Sequence, residues 1–185
     1  DITESVQAEK ALKASEETYH NLFHNAQVGL FRSGIEDGKI LESNDQFAKM
    51  FGYDNREEFI NYFVASAYYV PQSRRDEMLK EIGKKGEIRN FKAKFKRKDG
   101  TEFVALYSAR LYSEKGWLEG VMEDITEQEK AKEQLLESEK ALKKAQSIGK
   151  IGSWKFDLNN KTVEASEESY RIYGLPINKK LTLDD

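Results

Sequence analysis

Asp1-Ile2-Thr3-Glu4 recurs as Asp124-Ile125-Thr126-Glu127, and the offset of 123 continues beyond the tetrapeptide. The same shift carries Ala8 to Ala131, Leu12 to Leu135, Ser15 to Ser138 and Glu16 to Glu139. It then lays Val28-Gly29-x-Phe31-Arg32 on Ile151-Gly152-x-Trp154-Lys155, Ile40 on Val163, Ser43 on Ser166 and Phe47 on Tyr170. It breaks near Phe51-Gly52-Tyr53 against Tyr173-Gly174-Leu175. One shared tetrapeptide is within reach of chance; a shift held for some forty-five residues is not. An internal period sets the size of the folding unit before any element is assigned. Here the unit is about 120 residues, so the 185-residue chain is expected to hold one whole copy between parts of two others. Four segments follow: a helical linker from a preceding unit over 1–23, a complete globular unit over 24–124, a linker helix over 125–149, and the truncated start of a second unit over 150–185. The last is some 36 residues, below the size at which a core usually holds alone. It is expected to lean on something else, such as a partner chain.

Composition removes several functions. There is no cysteine, which excludes disulfides, thiolate nucleophiles, Cys-ligated zinc and iron–sulfur clusters. No apolar run approaches the ~20 residues that span a bilayer, and the N-terminus has no basic-then-apolar signal pattern. A cytoplasmic setting without direct membrane contact is the expectation. Charged residues make up 34% of the chain, yet the net charge is only −3. Nothing global therefore points to nucleic acid.

Residues 4 to 24 read as helix, with Ala8, Leu12, Ser15, Tyr19 and Leu22 spaced as a heptad seam. Ala131, Leu135, Ser138, Leu142 and Ala145 form the equivalent seam after the second tetrapeptide. Both stretches are otherwise Glu, Lys and Gln, good helix formers. Paired seams at both ends of a globular unit point to parallel coiled-coil linkers and a homodimer, with Ala8, Leu12, Tyr19, Leu22, Ala131, Leu135 and Leu142 facing the partner. Between them, strands over 28–35 and 39–43 flank the turn Glu36-Asp37-Gly38. A Ser43-x-x-Gln46 capping box is expected to open a helix over Asp45 to Met50, closed by Gly52. Helices follow over 55–62 and, with Pro71 at its entry, 72–83. Phe91-Lys92-Ala93-Lys94-Phe95-Lys96 alternates strictly, so Phe91, Ala93 and Phe95 face inward. After the turn Lys98-Asp99-Gly100, the fourth strand sends Phe103, Ala105, Tyr107 and Ala109 to one side. The fifth alternates Leu118, Gly120 and Met122 against Trp117, Glu119 and Val121. The pattern is α+β, an antiparallel sheet with short helices on one face.

The ordered set of Ala26-Gln27-Val28-Gly29-Leu30-Phe31, Asp37-Gly38-Lys39-Ile40, Asn44-Asp45-Gln46-Phe47 and Phe51-Gly52-Tyr53 resembles the first half of a PAS domain. Pro71-Gln72-Ser73-Arg74-Arg75 resembles that family's Pro-x-x-x-Arg. Lys96-Arg97-Lys98-Asp99-Gly100-Thr101 and Glu119-Gly120-x-x-x-Asp124-Ile125-Thr126 resemble its second half. The likeness covers residues 24 to 127, and the segment from Ile148 looks like the start of another such domain. It implies a five-stranded antiparallel PAS-like sheet in the order 2-1-5-4-3, flanked here by N- and C-terminal coiled-coil linker helices. It also implies a sensor module of a signalling protein, such as a two-component sensor histidine kinase, whose output domain would lie outside these residues.

No catalytic constellation is present: the P-loop, the nucleophile elbow and the dinucleotide glycine fingerprint are all missing. His20 and His24 stand at i,i+4 on the first helix, but no further ligand joins them, so no metal site is assigned. The Lys92, Lys94 and Lys96 stripe reads as a solvated strand face. Among the family's cofactors, the cysteinyl-flavin adduct is excluded by composition. Haem held by a histidine in the helix over 72–83 is disfavoured, since that helix has none. Non-covalent flavin is left open, and the cofactor is unknown. A small organic ligand would be lined by Phe31, Ser33, Phe47, Phe91, Phe95, Phe103, Ala105, Tyr107 and Met122, with Tyr107 and Ser33 offering hydrogen bonds. Alternatively the aromatics fill the space. Asp124-Ile125-Thr126-Glu127 can cap a helix, and by resemblance this junction passes signals from sheet to linker. The expectation is a non-catalytic sensory and transmission module; the alternative is a ligand-free dimerisation spacer.

Overall fold

The computed structural model describes residues 2–177 and 181–182, with side chains over 6–177; the outer limits of the first and last expected segments, Asp1 and Asp185, lie outside the described residues. The chain divides into two compact units, Asp1–Glu129 and Lys130–Asp185.

The first unit opens with α1 (Ile2–Asn25), β1 (Gly29–Gly34), β2 (Ile40–Ser43), α2 (Asp45–Met50) and α3 (Arg56–Tyr62). It continues through β3 (Tyr69–Val70), α4 (Ser73–Lys85), β4 (Glu87–Lys96), β5 (Glu102–Tyr112) and β6 (Trp117–Asp124) into the first turn of α5 (Thr126–Gly149). The strands form one antiparallel sheet in the order β2-β1-β6-β5-β4-β3. There are six strands, not the expected five. The addition, β3, pairs only Tyr69 with Phe95 and Val70 with Lys94, too short a run to show a period of two. The other five keep the expected neighbours.

Alternation builds the core. Phe91, Ala93 and Phe95 on β4 and Phe103, Ala105, Tyr107 and Ala109 on β5 are buried, while Lys92, Lys94 and Lys96 are exposed. β4 begins four residues before Phe91, because a register shift between Ile88 and Phe91, with Asn90 at φ 51°, interrupts the pattern. The helix expected to end at Gly83 runs to Lys85, and left-handed Gly86 at φ 76° terminates it. Phe47, Phe51, Phe59 and Phe63 descend from the helical side onto Phe31, Phe95 and Phe103, with Phe31 and Phe47 stacked at 4.7 Å between centroids.

The cap of α2 is Asn44, not Ser43. Asn44 is fully buried; its Oδ1 accepts from the amides of Phe47 (3.0 Å) and Leu30 (2.9 Å), and its Nδ2 donates to the carbonyls of Phe23 (3.1 Å) and Val28 (2.8 Å). A hydroxyl cannot serve two donors and two acceptors in opposite directions. The buried Ser43 hydroxyl finds no partner.

In the second unit the rest of α5 is followed by β7 (Trp154–Asp157), β8 (Thr162–Ala165), α6 (Glu167–Ile172) and β9 (Leu181–Thr182), with the sheet order β7-β8-β9. Its hydrogen bonds revise the repeat. Ser166 caps α6 and exchanges bonds with Ser153, as Asn44 caps α2 and exchanges bonds with Leu30. The offset is therefore 123 in the first strand but 122 at the cap. The missing residue corresponds to Leu41, which β1 passes over between the pairs Arg32↔Glu42 and Ser33↔Ile40, whereas β7 and β8 pair without a shift. Ser166 thus answers Asn44 rather than Ser43, and Ser169 rather than Tyr170 answers Phe47. The glycines agree: a Cβ on Gly29 would meet Phe47 at 2.7 Å, and one on Gly152 would meet Ser169 at 2.5 Å.

Asn44→Ala leaves buried backbone groups unpaired and should cost about 3 kcal/mol. The midpoint of urea unfolding measures this, with Asn55→Ala, an exposed cap, costing about 1 kcal/mol as the comparison. Amides of β7 and β8 should exchange faster than those of β4–β6 in a dilute monomer. Equal protection would show the second unit holding by itself.

Candidate functional site

Two places on the first unit carry the expected site residues. The first is where the sheet becomes a helix. Asp124 ends β6, and its Oδ1 accepts from the Thr126 amide (2.9 Å) and the Thr126 hydroxyl (2.5 Å). That hydroxyl accepts in turn from the Val104 amide (2.9 Å), while the Ile125 amide donates to the Val104 carbonyl (2.9 Å). Both residues after Asp124 are thus fastened to β5. Glu127 is exposed in the first turn of α5, where a negative charge complements the helix dipole.

The residue that completes this junction is Arg97, named from the sequence only within the Lys96–Thr101 piece of the family resemblance. It donates to Asp124 Oδ2 (2.5 Å) and to the Met50 carbonyl at the end of α2, and its guanidinium lies 4.3 Å from the centroid of Phe103. One side chain therefore joins the β4–β5 turn, α2 and the start of α5. Lys92 adds a second tie, an ion pair to Glu129 at 2.6 Å. Burial by itself would raise the Asp124 carboxyl, but the hydrogen bonds from Thr126 and Arg97 outweigh it and hold the group below its ordinary 3.8.

The second place is a core cavity of about 30 Å³ between the sheet and the helices. Of the nine expected ligand residues, Phe31, Ser33, Phe47, Phe95, Tyr107 and Met122 wall it. Phe91, Phe103 and Ala105 are buried in the same core but do not reach it. The Tyr107 hydroxyl is engaged with that of Tyr69 at 2.7 Å. Burial pushes the Tyr69 hydroxyl up to about 12 and the Tyr107 hydroxyl still higher, so both are neutral. Ser33 is 5% exposed, and its hydroxyl makes no hydrogen bond among the described residues. Sequence reading missed Tyr69, Arg75 and Met78, which complete the wall from β3 and α4. Arg75 was visible as the last residue of the Pro-x-x-x-Arg piece; β3 gave no signal.

Gly120 on β6 lies outside the wall but makes room for Phe31, which is part of it. A Cβ there would meet the Ser108 carbonyl oxygen at 2.5 Å and the Phe31 ring at 2.8 Å, so any side chain would displace Phe31. The seam residues Ala8, Leu12, Tyr19, Leu22, Ala131, Leu135 and Leu142 are all exposed on helices. His24 bonds Arg56 at 3.2 Å, and His20 stands beside it with ring centroids 4.3 Å apart.

Sheet order, the helices above one face and the closing Asp124-Ile125-Thr126 together define a family. A family model described as PAS domain matches residues 28–127, more than half of the chain. The chain belongs to the PAS domain family. A PAS domain from a two-component sensor histidine kinase is 22% identical and matches at a TM-score of 0.50, over 60% of this chain and 97% of that one. A PAS domain from Colwellia psychrerythraea is 17% identical, with a TM-score of 0.51 over 60% and 97%. An RNA-binding light-oxygen-voltage receptor is 16% identical, with a TM-score of 0.53 over 68% of this chain and 37% of that one. These are likenesses of fold. No curated protein matches the chain.

The lowered Asp124 carboxyl has a testable sign. A group whose folded value is depressed contributes its full stability above the unfolded value and loses it as pH falls through the folded one. The first turn of α5 should therefore keep its amide protection down to pH ~4 and lose it below. Asp124→Asn should weaken that acid dependence in exchange measurements of residues 126–129.

Proposed function

We propose that this chain is a non-catalytic sensory and signal-transmission module: a small organic ligand in the core of the first unit changes the sheet, and the Asp124-Ile125-Thr126-Glu127 junction relays the change to a coiled-coil linker. The observation that carries the reading is the course of β6. Leu118 and Met122 wall the cavity, and two residues later the same strand ends in Asp124. Phe47 on α2 walls the cavity from the other side, and α2 ends at Met50, whose carbonyl Arg97 holds. A shift at the cavity thus has a short path to the start of α5 from two sides, covalent along β6 to Asp124 and hydrogen-bonded from Met50 through Arg97. Membership of the PAS family supports the sensory role.

In this reading α1 and α5 pair in a parallel homodimer through Leu12, Tyr19, Leu22, Leu135 and Leu142. The relay is a change between two packings of that coiled coil. The second unit is the opening of another PAS-like domain, a view its shared cap and strand pairing support. The tandem would serve an output domain, such as a histidine kinase, in the cytoplasm. The second reading, a ligand-free dimerisation spacer, is favoured by the cavity's volume of about 30 Å³. That is room for about two waters.

Native mass spectrometry separates the two. A dimer carrying mass that is lost on denaturation supports the sensor; a dimer of bare chain mass supports the spacer. A monomer would overturn the coiled-coil linkage. Asp124→Ala should alter output coupling in a longer, output-bearing protein while leaving ligand affinity within about twofold, because the charge-assisted contacts it removes, to Thr126 and Arg97, lie outside the cavity.

A further inference from the structure

Of the eight arginines, six meet a carboxylate: Arg32, Arg74, Arg89, Arg97, Arg110 and Arg171. Arg56 rests on His24. Arg75 has neither. It is half-buried, walls the cavity, and uses one donor on the Ile35 carbonyl at 3.0 Å. A guanidinium has five donors, and no carboxylate pairs with this one among the described residues. Asp37, in the adjoining β1–β2 turn, places its oxygens on Lys39 at 3.0 and 3.4 Å. Gly38 keeps the approach open, since a Cβ there would stand 3.2 Å from Arg75 Nη2.

Ser33, two residues before Ile35, also walls the cavity; the residue is buried, and its hydroxyl makes no hydrogen bond among the described residues. The remaining polar wall groups, the Tyr69 and Tyr107 hydroxyls, satisfy each other and carry no charge. A cavity with an uncompensated guanidinium and a spare hydroxyl, otherwise mostly apolar, is matched in charge and hydrogen bonding by a small anion. Desolvating the cation is costly without a counter-charge, and a carboxylate takes its planar fork in two parallel bonds. A neutral ligand of equal size would leave the charge unmatched.

We infer that the core of the first unit binds a small carboxylate of about the size of formate or acetate, with Arg75 as the charge partner and Ser33 as a hydrogen-bond donor. This rests on the sensory reading above and names the chemistry of its ligand. The volume agrees: about 30 Å³ is the footprint of roughly two waters, which a carboxylate group fills.

The test titrates the whole chain with acetate at constant ionic strength and, in parallel, with acetamide, its neutral counterpart. Unfolding temperature and the backbone amide shifts of Ser33, Gly34 and Gly38 are read. Acetate should produce a saturable response at all three amides and acetamide none. Arg75→Gln should weaken acetate by about tenfold or more, and Ser33→Ala by severalfold. If Arg75→Gln does not fold, the wild-type contrast between acetate and acetamide decides. Equal responses to the two probes, or an acetate response unchanged in Arg75→Gln, would overturn the anion assignment and leave a ligand-sensing core standing. Silence toward both, or acetate shifts confined to surface lysines, would also overturn it; the co-purifying mass then decides the sensory reading independently.

Discussion

The side chain of Asn44 fixes the corner from which the rest of the first unit is built. Its four hydrogen bonds reach the end of α1, the entry to β1, the second residue of β1 and the start of α2. Those contacts set the angle at which α2 leaves β2, and so place Phe47 flat against Phe31. An aspartate would bury a charge there, and a serine, with a single donor, would leave at least one of the four partners unmet. Ser166 occupies the matching corner of the second unit and makes the strand and cap contacts together with one to the Ser169 hydroxyl at 3.1 Å.

From that corner the aromatic core runs continuously to the junction. Phe47 meets Phe51 and Phe59, Phe51 meets Phe103, and Phe103 carries the guanidinium of Arg97 on its ring. Close-packed rings of this kind transmit displacement rather than absorb it. Arg97 is held by an ion pair to Asp124 at the end of β6, a carbonyl on α2 and an aromatic face, so it responds to movement on any of the three. Tyr69 and Tyr107 place a neutral hydrogen-bonded pair inside the same core. That keeps polar groups near the cavity without adding charge to it.

Much of this was legible in the residues. Strict alternation at Phe91–Lys96 and Phe103–Ala109 reveals buried faces because a strand's period is two. The Asp-Gly turns and the apolar run at Phe47–Phe51 mark their elements as clearly. Other features have no local signature. β3 is two residues long and exists only because Phe95 lies beside it. Ser43 and Asn44 are both good caps by type, and only the convergence of Phe23, Val28 and Leu30 around one of them decides. Arg97 carries no local sign of its partners, and the absence of a carboxylate partner at Arg75 among the described residues is a fact of three dimensions. For the same reason the cavity walls were found on β1, α2 and β4–β6 but missed on β2, β3 and α4.

The unpaired Leu41 also governs how parts of the two units can be exchanged. Successive helical residues turn through about 100°, so a graft of α6 for α2 aligned on the constant offset would turn the incoming helix by that amount and set Tyr170, not Ser169, in the place of Phe47. A chimera joined at Glu42 and Glu164, after the extra residue, keeps every helical face in phase. The bulge therefore acts as a reading-frame boundary within the fold. Insertions there are absorbed at the rim of the sheet, while the same insertion one helical turn later would scramble the core.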